Sequence, residues 1–254
     1  MPEVSIHTLS RPTTMFDLIA FDADDTLWHN ETTYVLLREK LKQLLAGQVS
    51  SEIIASELFH TETNNIPYFG FGIKSYTLSM IETAIRLTNG NVPAQLLQQI
   101  IEQARRVNTI PLQLLDSVQE CVARLAETHT LMMITKGDSS EQESKIARSG
   151  LARYFKYIEI VSDKTEARYE TILARYNVTP ERWLMVGNSM KSDICPVLAL
   201  GGWAVYIHYP GSWAYENDTP PQDGHHSYFE LDHIGELPAL VDRLEQSNFY
   251  KEET

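Results

Sequence analysis

Five short apolar runs, at 16–21, 131–134, 158–161, 184–186 and 204–207, constrain this chain more than any other feature. Each is too short for a helix and apolar almost throughout, as expected of strands buried on both faces of a parallel sheet. Between them apolar residues step by three and four, at Leu115, Val118, Val122 and Leu125 and again at Ile172 and Tyr176. Asp138 and Thr165 stand where helix N-caps belong. Strands alternating with helices predict an α/β fold, a three-layer, Rossmann-like parallel sheet with right-handed crossovers.

The first two runs lie about a hundred residues apart, far more than one crossover needs. The intervening stretch carries helical spacing at Leu37, Leu41, Leu44 and Leu45, then at Leu78, Ile81 and Ile85, then at Leu96, Leu97, Ile100 and Ile101, with no convincing strand. The expected organisation is a core formed by 15–27 and 111–250, an inserted helical cap domain at 28–110, and an N-terminal arm at 1–14. Residues 251–254 read as a solvated tail. Within the insert, 64–74 is rich in glycine and aromatic residues. It reads as a loop that closes over a small ligand through Phe69, Phe71 and Lys74, or as a tight turn whose aromatics pack the insert.

Composition narrows the partners. Twenty-one basic against 34 acidic residues leave a net charge of −13, which repels nucleic-acid backbones and anionic lipid alike. Neither a nucleic acid nor a membrane is expected, and oligomeric state is not legible. The N-terminal residues hold no apolar stretch of signal length, and the uncharged run at 194–215 is broken by Pro196, Gly201, Gly202 and Pro210 into a helix end, a turn and a strand. Cys121 and Cys195, both in helical segments, suit buried free thiols and a cytoplasmic location. The histidines, His29, His225 and His226 among them, form no ligand or triad pattern.

Polar residues follow each of the first four strands, where open α/β sheets bind ligands: Asp22, Asp24 and Thr26, then Thr135, then Lys164, then Asn188, Ser189 and Asp193. Carboxylates crowded at one sheet edge repel, and one lysine cannot offset them, so a divalent cation is expected. In Phe21-Asp22-Ala23-Asp24-Asp25-Thr26-Leu27, Ile134-Thr135, Ser162-Asp163-Lys164 and Val186-Gly187-Asn188-Ser189 through Asp193, the sequence resembles the haloacid dehalogenase superfamily of phosphohydrolases from about Met15 onward.

The resemblance implies a Mg²⁺-dependent phosphatase acting on a small phosphorylated metabolite. Asp22 would be the nucleophile, Asp24 the general acid and base, and Thr135 and Lys164 the holders of phosphoryl oxygens. Asp22, Asp24, Asn188 and Asp193 are the candidate metal ligands. Read singly, each residue has a plainer alternative: Asp22 as a turn cap, Thr135 as a strand residue, Lys164 as a helix-start lysine, Asp193 as a surface acid, and Asp25 as a solvent-facing or helix-start charge. Asn188 departs from the commonest family pattern, which carries Asp there, so the site has one negative charge fewer. A phosphotransferase or mutase would keep every motif. A haloacid dehalogenase would use Asp22 but needs no acid at Asp24.

Overall fold

The computed structural model describes residues 14–107, 109–220 and 226–252. The expected N-terminal arm, Thr14 excepted, lies outside them. The core is a six-stranded sheet in the order β3-β2-β1-β4-β5-β6, with every pairing parallel. Its strands are β1 (Leu18–Phe21), β2 (Leu131–Lys136), β3 (Tyr157–Val161), β4 (Trp183–Gly187), β5 (Trp203–Ile207) and β6 (Tyr228–Leu231). β1 and β4 are buried along their whole length, as the unbroken apolar runs require. Side chains leave alternate faces, so Ile19 and Phe21 join one apolar cluster while Leu18 and Ala20 join the other. The first cluster is closed by α5 (Val118–Ala126), α6 (Ser139–Ser149) and α9 (Leu237–Glu252), the second by α7 (Glu166–Tyr176) and α8 (Cys195–Ala199). Phe21 pairs with Met133 on one side and Val186 on the other, which brings the ends of β1, β2 and β4 to one edge.

Between β1 and α5 the described residues form four helices: α1 (Glu31–Leu44), α2 (Ser51–Phe69), α3 (Ile73–Leu87) and α4 (Ala94–Val107) surround an apolar cluster of their own. Among the described residues no helix is long and apolar enough to cross a membrane.

Several elements differ from the sequence expectation. The helix expected around Leu78, Ile81 and Ile85 exists, but Leu78 and Ile85 are exposed while Ile73, Tyr76, Met80 and Ala84 are buried. α3 lies close against α2, and its buried row of Ser75, Ser79 and Thr83 permits that approach, with Asn65 donating to Ser79 Oγ at 3.1 Å. Small polar residues therefore form the contact face that an apolar pattern would have placed elsewhere. Residues 64–69, expected as loop, are the last turns of α2 with Pro67 inside it, and the loop proper is only 70–72. β6 has no sequence signature because it is a half-buried edge strand carrying Glu230. Cys195 is only partly buried, since α8 is one short turn near the surface, while Cys121 is buried as expected. α9 continues through Glu252, so the expected tail begins as helix.

Cap and core are tied where α6 begins. Asp138 caps α6 by accepting from Glu141 N at 3.1 Å. Lys74 Nζ of α3 lies 2.9 Å from both Asp138 carboxylate oxygens and 3.1 Å from Ser140 Oγ. Ile73 N donates to Glu141 Oε2 at 2.8 Å. The Lys74 ammonium, with Ser140, holds the Asp138 carboxyl down at about 2. Its folded value lies below its unfolded one, so this contribution is complete above pH ~4 and is lost as pH falls through about 2. Asp138→Ala is expected to lower stability by about 1–2 kcal/mol at neutral pH in urea denaturation. The difference from the wild type should close on acidification through that window.

Candidate active site

Asp22 follows β1 and its backbone N donates to Val186 O at 2.9 Å, which fixes it beside the end of β4. The residue is 8% exposed. Oδ1 accepts from Lys164 Nζ at 2.5 Å and Oδ2 from Thr26 Oγ1 at 2.9 Å. Lys164, set between β3 and α7, also donates to Asp193 Oδ1 at 2.7 Å. Asp193 rides on a single π-helical turn, Met190–Ile194, that returns it over the end of β4. Its second oxygen accepts from Ser189 N at 3.0 Å. A Cβ on Gly187 would stand 2.3 Å from that oxygen, so the turn can close only over glycine.

Burial works to discharge Lys164, but the Asp193 and Asp22 carboxylates outweigh it and hold its pKa above the ordinary lysine value. Burial pushes the Asp22 carboxyl up to about 7, with Lys164 opposing and Asp193 reinforcing the rise. The cluster therefore contains one permanent cation and an acid that prefers more positive charge than Lys164 alone supplies.

Asp24 lines the same cleft but is held by a different set of donors. Its carboxylate accepts from Trp28 Nε1 at 2.6 Å, Lys145 Nζ at 2.9 Å and Gln142 Nε2 at 3.2 Å. Lys145, buried on α6, also donates to Asn30 Oδ1 at 2.7 Å, immediately before α1. Thr135 is fully buried at the end of β2, and its hydroxyl accepts from Gln142 Nε2 at 2.5 Å. It does not line the cleft in this arrangement. Asp25 is buried rather than solvent-facing, with φ of 62°. Its carboxylate caps α1 by accepting from Asn30 N at 2.8 Å and Glu31 N at 3.0 Å. Burial pushes its carboxyl up to about 6 against those two bonds.

Gln142 and Lys145 were not singled out from the sequence, although a signal exists. Positions 142, 145, 146 and 149 share one face of α6, and a face turned toward the sheet that holds Gln, Lys and Ser beside Ile146 is unusually polar.

Of the three cap residues expected at the ligand, only Phe71 lines the cleft. Its ring stands 6.3 Å from that of Trp213 and 6.1 Å from that of Tyr215, with Lys136 Nζ 4.2 Å above it. Phe69 is 54% exposed and Lys74 is the strut described above. The cap wall is made instead by Glu31, Tyr34 and Arg38 of α1, Glu62 of α2 and Tyr76 of α3. The α1 members recur at spacings of three and four, a helical face that sequence reading passed over because none of its members is a motif residue.

One end of the Asn188 amide stands 3.0 Å from Thr26 Oγ1, 3.1 Å from the Asp24 carbonyl oxygen and 3.3 Å from Asp22 Oδ2. With nitrogen at that end the amide donates to all three. With oxygen there, Asn188 Oδ1 stands 3.1 Å from Asp24 O and 3.3 Å from Asp22 Oδ2, so three oxygens gather at one point, the kind of donor that a hard cation such as Mg²⁺ takes. The residues thus fit a hard divalent cation through one carboxylate, one amide and one main-chain carbonyl. Among the described residues, no three His, Cys, Asp or Glu side chains form a metal-holding group. The Asp24 carboxylate and both Asp193 oxygens are already engaged elsewhere.

The model of the haloacid dehalogenase-like hydrolase family matches residues 16–195. Among solved structures, a hydrolase of that family from Xanthomonas campestris shares 34% identity over 92% of this chain and 98% of its own, with a TM-score of 0.81. A hydrolase of that family from Bacillus subtilis, bound to magnesium, shares 16% identity over 90% of this chain and all of its own, with a TM-score of 0.65. The L-2-haloacid dehalogenase from Xanthobacter autotrophicus shares 16% identity over 90% of this chain and 99% of its own, with a TM-score of 0.62. The last two likenesses establish the fold alone. No curated protein matches the sequence.

Asn188→Asp puts a second carboxylate beside Asp22. Without a divalent ion the variant is expected to melt below the wild type. Added Mg²⁺ should raise its melting temperature more than it raises the wild type's, reflecting binding tighter by ~1 kcal/mol or more. An equal Mg²⁺-induced rise in both proteins would place position 188 outside the ion's reach.

Proposed function

This chain belongs to the haloacid dehalogenase-like hydrolases, and on that premise we propose that it is a Mg²⁺-dependent phosphatase of a small phosphorylated metabolite. The observation that carries the reading is the second carboxylate, Asp24, standing on the same cleft as Asp22. An alkoxide leaving group needs a proton, whereas a departing halide needs none, so a dehalogenase has no use for an acid at that position.

In the proposed reaction an Asp22 carboxylate oxygen attacks phosphorus as the ester P–O bond breaks, and Asp24 delivers its proton to the departing alkoxide. Asp24 then takes a proton from water. The water oxygen attacks the aspartyl phosphate, the P–O bond to Asp22 breaks, and inorganic phosphate leaves with Asp22 restored. Lys164 orients Asp22 through its 2.5 Å bond and presents fixed positive charge toward the phosphoryl oxygens. Asp193 keeps that ammonium in place. Trp28 and Lys145 position Asp24, and because Lys145 also holds Asn30, the acid and the start of the cap share one cation. Bound Mg²⁺, held by Asp22, Asn188 and the Asp24 carbonyl, would neutralise the phosphate charge that the surrounding carboxylates repel. The cap above the cleft limits competing water.

The deciding measurement pairs phosphate release from p-nitrophenyl phosphate with chloride release from 2-chloropropionate. Phosphate release that needs Mg²⁺ and stops with EDTA is expected, with no chloride release. Asp22→Asn should abolish turnover, and Asp24→Asn should lower kcat by about 10²–10⁴. Chloride release without phosphate release would overturn the reading.

A further inference from the structure

Charge pairing in the cleft is incomplete on the cap side. Lys164 is shared by Asp22 and Asp193, Lys145 by Asp24 and Glu141, and Lys136 lies 2.6 Å from Glu216. The cap wall has two acids, Glu31 and Glu62, and one cation, Arg38, whose guanidinium lies 3.4 Å from Glu31. Glu62 makes no hydrogen bond or ion pair with any described residue. Burial, with the neighbouring Glu31, pushes its carboxyl up to about 8, and burial pushes that of Glu31 up to about 7, with Arg38 opposing both rises.

A second feature points to the same place. Tyr76 is 2% exposed and lines the cleft; its hydroxyl makes no hydrogen bond of ordinary geometry, and the Arg38 guanidinium is the donor that faces it. Glu62, Arg38 and Glu31 all stand near enough to bias its ionisation. Tyr34 meets Tyr76 edge-on, with ring centroids 5.0 Å apart at 87°. Tyr34 spans the cleft electrostatically, near Glu141 and Asp24 on the core side and near Glu62 and Glu31 on the cap side.

We propose that this wall is an ammonium-binding subsite, so that the phosphate ester taken by this enzyme carries a protonated amine on its leaving group. The inference rests on the phosphatase reading above for its phosphate half and on the cap residues alone for its amine half. An ammonium supplies the second positive charge that Glu31 and Glu62 lack between them, and it donates to the Tyr76 hydroxyl oxygen. A hydroxyl-bearing leaving group could use the hydrogen bonds but would leave Glu31 and Glu62 to share the Arg38 guanidinium. A carboxylate-bearing one would add a third acid.

The test compares initial rates of phosphate release from O-phosphoethanolamine and 2-hydroxyethyl phosphate, near-isosteric esters that differ in the charged group. The amine ester is expected to have the higher kcat/KM by roughly tenfold or more. Glu62→Gln should shrink that ratio by a similar factor, mostly through KM of the amine ester. Tyr76→Phe, which removes only the hydroxyl, should shrink it less and provides the same readout if Glu62→Gln does not fold. Equal rates, preference for the hydroxyl ester, or a ratio unmoved by both substitutions would overturn the subsite. If no ester, p-nitrophenyl phosphate included, releases phosphate, the phosphatase reading fails. Calorimetric titration with ethanolamine against ethylene glycol then tests the subsite separately. Tighter binding of the amine, weakened by Glu62→Gln, supports it, and equal binding overturns it.

Discussion

The buried Lys164 ammonium shared by Asp22 and Asp193 is the interaction around which the site is organised. Three charges almost removed from water would each be costly alone, and they are tolerable only together and fully hydrogen-bonded. Their meeting requires three separate chain segments to end at one point: the end of β1, the turn before α7, and the π-helical turn after β4. The β3-β2-β1-β4 strand order supplies that convergence, and the missing side chain at Gly187 supplies the space. Removing Lys164 would leave two buried carboxylates side by side without their shared cation.

The same economy governs the junction of cap and core. α6 is capped by Asp138, which Lys74 of the cap grips from outside, while Glu141 one turn further on receives the first backbone N–H of α3. Along the same helix, Lys145 and Gln142 reach inward to Asp24. One face of α6 therefore holds both the cap and the proposed acid. Phe71, seated against Trp213 and Tyr215, adds an apolar contact across the mouth of the cleft.

What is unusual at the sheet edge is the amide at Asn188. Where a carboxylate would add repulsion beside Asp22, an amide can present nitrogen to the surrounding oxygens or oxygen to a cation. The site is therefore satisfied in either state, whereas two carboxylates side by side would depend on the ion.

The core strands were legible because a strand buried on both faces must be apolar throughout, and the residues at their ends because polar groups of matching chemistry followed four successive strands. The existence of a helical insert was legible from the distance between the first two strands. The packing face of α3 was not, because Ser75, Ser79 and Thr83 are buried for their small size rather than their apolarity. Nor was β6, whose edge position relaxes the pattern, nor Glu31, Tyr34, Arg38, Glu62 and Tyr76, which come from three helices and meet only when the insert folds over the core. Local sequence thus determined the sheet, the chemical groups at its edge and the kind of insert above it, since periodicity and burial act within one segment. Which way Asp24 faces, what satisfies Thr135 and which residues wall the cleft were decided by tertiary structure alone. Those properties depend on side chains far apart in the chain competing for the same hydrogen bonds and the same space.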